Sequence, residues 1–244
     1  MRIRSFITHL LVGLALFLLF LVGTVIYLRV AIFDFLSKIS KATPNSTVNF
    51  TRRLLCRSYG WLVWALKLLG LLRVEFSGDF SSPGIYLANH HTLLDALVIL
   101  SRFECGVCVA KRELLRVPIM GGLIRYADYP VVGTGIEVVN QARIIVESGG
   151  SIIIFPEGTR SKDGQLGKFR RGVGYLINQT ITPIYGVILR VSSPFLNHQA
   201  GFLSYPNGGV DLRIKRLEDE LGWVRSSESL GSEREKAQLT TDKL

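Results

Sequence analysis

Cysteine is scarce, acidic residues are outnumbered, and one long stretch carries no charge at all. Three cysteines in 244 residues, an odd number, do not make the dense framework that staples a small secreted fold. Nineteen Asp and Glu against 29 Lys and Arg leave a net charge of +10, which asks for an anionic partner. There is no internal repeat, no low-complexity block and no recognised nucleic-acid-binding motif. The basic residues are scattered among apolar ones, so nucleic acid is not the expected partner. Cys105-Gly106-Val107-Cys108 has the C-x-x-C spacing but begins a predicted strand rather than a helix, and zinc would need two more ligands. No metal site is expected. What the chain has in quantity is apolar residues, 48% of the total, with a mean hydropathy of +0.32. That is too apolar for a disordered chain. High hydropathy together with a basic excess fits a membrane surface, which supplies both lipid and anions.

The uncharged stretch is Leu10–Leu28, with Arg2 and Arg4 before it and Arg29 closing it. A helix of that length spans roughly 28 Å, close to the hydrocarbon thickness of about 30 Å. Its length and the lack of an A-x-A site argue against a signal peptide and for an uncleaved anchor. The charge rule does not orient it, because Lys38, Lys41, Arg52 and Arg53 follow on the other side. Next, Arg53 to Leu72 reads as a helix with Arg53, Arg57 and Lys67 in a narrow stripe on a body of Leu, Val, Trp61 and Trp64. Such a helix either lies in the membrane interface or packs on the globular domain with its charges at the rim.

From Leu71 onward short apolar runs alternate with helical patterns. Leu72–Phe76, Gly84–Ala88, Val107–Ala110, Tyr129–Val132, Ser151–Phe155 and Ile184–Leu189 read as strands. Leu93–Ser101, Pro118–Tyr126, Ile136–Glu147 and Gly172–Asn178 read as helices. Val210–Leu217 reads as a late edge strand. The alternation predicts an α/β fold, a largely parallel sheet covered by helices and preceded by an N-terminal membrane-associated helical segment. The expected organisation is an anchor and amphipathic helix over 1–72, an α/β domain over 73–225 and a polar tail over 226–244.

Two constellations follow predicted strands, at the sheet end where such folds bind ligands. The first is Asn89-His90-His91-Thr92-Leu93-Leu94-Asp95. A His at this turn with an Asp one to two helical turns on can form an imidazole–carboxylate pair, in which the carboxylate fixes the tautomer and stabilises the imidazolium. The second is Phe155-Pro156-Glu157-Gly158-Thr159-Arg160. Pro156 ends the strand, Gly158 allows a tight turn, and Arg160 can pair with a carboxylate or phosphate. Downstream, Lys168, Arg170 and Arg171 cluster at a predicted helix start as candidate phosphate or carrier contacts.

In this order the motifs resemble the glycerophosphate and lysophospholipid acyltransferase family, whose signature is His-x4-Asp followed by a Phe-Pro-Glu-Gly-Thr-Arg block. His90 and Asp95 match the first, Phe155 through Arg160 match the second, and about 65 residues separate them. The Phe169–Gly172 stretch and Thr182-Pro183-Ile184 are similar to two later family elements. The resemblance covers about Leu72 to Leu189. It implies transfer of a fatty acyl group from acyl-CoA or acyl-carrier protein to a hydroxyl of a lysophospholipid such as 1-acylglycerol-3-phosphate, without metal or redox cofactor. His90 is then the general base, Asp95 its partner, and Glu157, Gly158, Thr159 and Arg160 bind the acceptor. The partners implied are membrane lipids, a lysolipid and the acyl donor, with the catalytic domain on the cytoplasmic side of a membrane, the inner membrane in a bacterium. One departure stands out. The family carries an Arg after the strand preceding the long helix, and Tyr129–Gly135 has none, with Arg125 upstream. A lyso-aminolipid or another hydroxylated lipid is therefore a second candidate acceptor, and a non-catalytic lipid-binding protein of the same fold a third reading.

Overall fold

The computed structural model describes residues 10, 13–14, 21, 23–33, 35, 44–92, 94–132, 135–161, 169–179, 181–192 and 209–217. Residues 23–33 are helical (α1). There follow α2 (Pro44–Leu68), β1 (Leu72–Ser77), β2 (Ile85–Ala88), α3 (Leu94–Leu100), β3 (Gly106–Cys108), a 3-10 turn (Arg112–Arg116), α4 (Met120–Tyr126), α5 (Gly135–Glu147), β4 (Ser151–Ile154), α6 (Arg171–Gln179), β5 (Ile184–Val191) and β6 (Val210–Leu217). The strands form one sheet in the order β1-β6-β5-β2-β4-β3. Every neighbouring pair is parallel except β5–β6.

The strand compositions explain the layers. β2 and β4 are apolar at nearly every position and buried throughout, as expected of strands covered on both faces. Tyr86, Ala88 and Ile153 face one core with Val98, Ile99 and Leu100 of α3 and Val63 and Leu66 of α2. Ile85, Leu87, Ile152 and Ile154 face the other, with Ala142 and Ile145 of α5 and Leu176 and Ile177 of α6. β6 alternates instead, burying Val210, Leu212 and Ile214 and exposing Asp211, Arg213 and Lys215. Helices therefore cover both faces of the β2–β4 region, whereas β1 and β6 bury one face.

Two expectations are corrected. Val210–Leu217 is a strand but not an edge strand. It lies between β1 and β5, because its apolar face continues the core that β1 and β5 share. Tyr129–Val132 forms no strand, only an isolated bridge between Val131 and Ala110. Pro130 has no N–H, so its carbonyl accepts from Ala110 N but the ladder cannot continue through it.

α2 is longer than the sequence pattern suggested, beginning at Pro44, a residue suited to the first turn of a helix. Its inner side buries Leu55, Cys56, Val63 and Leu66. Arg52 is buried there too, and its guanidinium donates to Ala127 O at 2.8 Å and Asp128 O at 3.0 Å. A buried charge needs such partners, and these fasten α2 to the turn after α4. The outer side exposes Phe50, Arg53, Arg57, Trp61, Trp64, Lys67 and Leu68 within an arc of about 120°. The cations and the two tryptophans thus share one face. α1 packs beside α2, with Phe33 stacked on Phe50 at 4.7 Å and Ile26 and Val30 buried. It turns Val25, Leu28 and Ile32 outward, in line with exposed Leu21 and Phe35. Among the described residues no helix is long and apolar enough to cross a membrane. Nine of the 19 residues of Leu10–Leu28 lie outside the described residues.

Candidate active site

β2 ends at Ala88, and the chain turns through Asn89–Thr92 before α3 begins at Leu94. Thr92 and Asp95 have the spacing of a capping box, in which the side chain at the third helical position reaches back to the cap. Asp95 Oδ2 accepts from Thr92 N at 2.7 Å and His91 N at 2.6 Å, and Asp95 Oδ1 accepts from Thr92 Oγ1 at 2.6 Å. The same Oδ2 lies 3.0 Å from His90 Nδ1. Asp95 is wholly buried, and this ring of donors compensates the carboxylate for lost water. One short turn therefore starts a helix and aims a carboxylate at an imidazole. The His90 side chain is 18% exposed. With Nδ1 engaged, Nε2 is the nitrogen left to meet a ligand. Phe155 stacks on the ring, centroids 4.0 Å apart, which restricts its rotation.

The second loop leaves β4 beside the first, since β2 and β4 are parallel neighbours. Glu157 is buried, and its Oε1 accepts from His90 N at 3.1 Å. Ser161 N donates to His90 O at 2.7 Å. The backbone of His90 is thus held on both sides by the second loop. Gly158 has φ +67°, and the Arg170 side chain occupies the space a Cβ would need. Arg170 N donates to Pro156 O at 2.9 Å and Arg170 Nε to Glu157 O at 3.3 Å. Thr159 and Arg160 follow on the same loop, both half-buried.

The structure brings His90, Asp95, Glu157, Gly158 and Arg170 into one cluster. Arg171 begins α6, and Lys168 lies outside the described residues. Arg125, the nearest cation before the Tyr129–Gly135 segment, donates to Leu115 O at 3.3 Å. The cysteines Cys105 and Cys108, set aside in the sequence, are free; Cys105 precedes β3 and Cys108 ends it. Among the described residues no group of His, Cys, Asp and Glu could hold a metal ion. Sequence reasoning missed the work of Thr92, His91, Phe155 and Ser161. Only Thr92 left a readable signal, the T-x-x-D spacing before an apolar run.

A family model described as Acyltransferase matches residues 72–190. A 1-acyl-sn-glycerol-3-phosphate acyltransferase of Cocos nucifera is 34% identical over 135 residues, covering 52% of this chain and 43% of that protein. One from Limnanthes douglasii is 32% identical over 137 residues, 53% of this chain and 48% of that protein. The beta form from Homo sapiens is 29% identical over 174 residues, 64% of this chain and 59% of that protein. The chain therefore spans about half the length of the curated relatives it matches. Among solved structures, the crystal structure of the 1-acyl-sn-glycerophosphate (LPA) acyltransferase PlsC from Thermotoga maritima matches with a TM-score of 0.61 at 23% identity. The match covers 98% of this chain and 95% of that one, and is a likeness of fold.

Proposed function

We propose that the chain, whose residues 72–190 match the acyltransferase family model, is a membrane-bound lysophospholipid O-acyltransferase. The observation that carries this is the buried Asp95 carboxylate 3.0 Å from His90 Nδ1, with Nε2 turned to the remaining side of the ring. The acceptor hydroxyl gives its proton to His90 Nε2 as its oxygen bonds to the thioester carbonyl carbon. Asp95 stabilises the imidazolium that results. The tetrahedral intermediate collapses, the carbon–sulfur bond breaks, and the imidazolium returns the proton to the departing sulfur. An ester and a free thiol are released. The substrate supplies the nucleophile, so no activated Ser or Cys is needed.

Glu157 braces the His90 backbone, while Arg160 and Arg170 present cations to the acceptor's anionic headgroup. Gly158 lets Arg170 lie close over the loop. Lys168 and Arg171 belong to the same basic stretch and serve the acceptor or the carrier of the acyl group. The donor is acyl-CoA or acyl-carrier protein, and neither metal nor redox cofactor takes part. The outward faces of α1 and α2 support membrane association. Exposed Val25, Leu28 and Ile32 on α1, and Trp61, Trp64 and Leu68 interleaved with Arg53, Arg57 and Lys67 on α2, suit insertion into one leaflet with cations at the headgroups. Those faces then lie on the cytoplasmic side of the bilayer.

The acceptor is 1-acylglycerol-3-phosphate or a related lysolipid. The lack of an Arg in Tyr129–Gly135 favours a second acceptor class, such as a lyso-aminolipid. Purified protein given acyl-CoA or acyl-carrier protein and a panel of lysolipids should release free thiol. His90→Ala should abolish that release while leaving the thermal transition in place. Full activity in His90→Ala would end the mechanism, and lipid binding without turnover of any donor would indicate a binding protein instead.

A further inference from the structure

His91 carries none of the chemistry above, yet its ring bonds Ser161 and Asn89 and reaches β5 through Asn89. Nδ1 lies 2.8 Å from Ser161 Oγ, and Nε2 lies 2.7 Å from Asn89 Nδ2 and 3.2 Å from Leu189 O. The Asn89 amide orientation follows from Leu189. Its Oδ1 accepts from Leu189 N at 2.7 Å, so its NH2 is the group facing Leu189 O at 3.0 Å and His91 Nε2. An NH2 beside Nε2 makes that nitrogen an acceptor. The ring proton is then on Nδ1, and it is donated to Ser161 Oγ. This tautomer also excludes His91 as a base for Ser161, because the nitrogen facing the hydroxyl already holds a proton. Ser161 is buried and directly follows Glu157, Gly158, Thr159 and Arg160 on the same loop. Leu189 lies on β5, which pairs with β2 at the sheet end where the His90 turn begins.

We propose that His91 is a positioning residue for the acyl transfer, a neutral latch that holds the Glu157–Ser161 loop to Asn89 and β5 and so sets where the acceptor sits relative to His90. The inference rests on the acyl transfer assigned above. Without the latch the acceptor headgroup site shifts against the base, while the acyl donor loses no contact.

The test measures thiol release by the full-length protein with 1-acylglycerol-3-phosphate and palmitoyl-CoA. His91→Ala should raise the KM for the lysolipid about 10-fold and lower kcat, with the KM for palmitoyl-CoA within about 2-fold, a size in keeping with small misplacement of reacting groups. His91→Asn should recover most of the lysolipid KM, because its amide N–H can stand where Nδ1–H does. His91→Phe, which fills the volume without a donor, should not recover it. Ser161→Ala should match His91→Ala, and the double variant should be no worse than either alone. Where His91→Ala is recovered unfolded, Ser161→Ala, which removes one oxygen, tests the same latch. An unchanged lysolipid KM in both folded variants, additive effects, or wild-type behaviour of His91→Phe overturns the latch. A loss in kcat alone does so too, since a merely structural role predicts it. These outcomes are separate from failure of the parent reading, which shows as a wild type inactive on every lysolipid of the panel or a fully active His90→Ala; where another lysolipid of the panel is the one turned over, it takes the place of 1-acylglycerol-3-phosphate in the test.

Discussion

Asp95 has two jobs, and its substitutions separate them. Its carboxylate accepts two backbone N–H groups, one hydroxyl and the His90 ring. Asn at this position can keep a carbonyl oxygen toward the His91 and Thr92 N–H groups, while the Thr92 hydroxyl turns to accept from the new NH2. The turn then survives and only the charge is lost. Asp95→Asn should therefore lower kcat by about 10²–10⁴-fold, the usual worth of a positioned acid–base pair, with a small change in melting temperature. Asp95→Ala should also destabilise, because each buried donor left without an acceptor costs about 1–3 kcal/mol. Thiol release and thermal unfolding on the two variants check both halves, and an undiminished kcat in Asp95→Asn would remove the carboxylate from the mechanism. Gly158 is constrained more simply. Its φ of +67° strains any side chain, and Arg170 occupies the room for one. Gly158→Ala should cost about 1–2 kcal/mol from backbone strain, and more as Arg170 is displaced, read as a lower urea midpoint.

At the scale of elements, the local pattern was legible and the assembly was not. The alternation in Val210–Leu217 marks a strand at its observed bounds, but nothing local places it between β1 and β5. Pairing order follows from faces that meet only in three dimensions. Tyr129–Val132 has strand composition, and one proline undoes it. The His90–Asp95 pair was legible because a turn and the first turn of a helix bring both residues together locally. The ties from Asn89 to Leu189 and from His91 to Ser161 span 100 and 70 residues and leave no sequence period. α2 shows the same division. Its apolar and basic residues announce an amphipathic helix, and the burial of Leu55, Cys56, Val63 and Leu66 shows which side faces inward, leaving Trp61 and Trp64 on the exposed cationic face. That face yields a prediction of its own. Taking burial of an apolar side chain in lipid as about 2 kcal/mol, Trp61→Ser with Trp64→Ser should weaken binding to phosphatidylcholine–phosphatidylglycerol vesicles by at least about 10-fold. Arg53→Glu with Arg57→Glu should instead remove the salt-sensitive part of the binding. Vesicle sedimentation at low and high salt distinguishes the two, and unchanged partition in the tryptophan variant would detach α2 from the membrane.

For the whole molecule, the neutral polar groups concentrated around one seam determine how it fails at high pH. Desolvation pushes the Cys56 and Cys108 thiols up to about 12 and raises Cys105 as well. Desolvation also raises the phenols of Tyr59, Tyr86 and Tyr129. Cys56 and Tyr59 lie on α2, Cys105 precedes β3, Cys108 ends it, and Tyr129 follows the turn that Arg52 clamps. Five of the six therefore border the joint between α2 and the sheet. Above the ordinary thiol value of 9.0 and phenol value of 10.0 the unfolded chain releases these protons while the folded chain keeps them. The folded state then binds more protons than the unfolded state, and stability falls as pH rises. Each group adds a slope of about 1.4 kcal/mol per pH unit once its unfolded form ionises. Urea unfolding between pH 8 and pH 11 should show the midpoint dropping steadily from about pH 9, within the window these shifts define. Tyr129→Phe removes one phenol without removing bulk, so its decline above pH 10 should be shallower by about one group's slope. A flat stability profile across this range, or a Tyr129→Phe slope identical to wild type, would mean that the seam is wetter than the folded chain makes it.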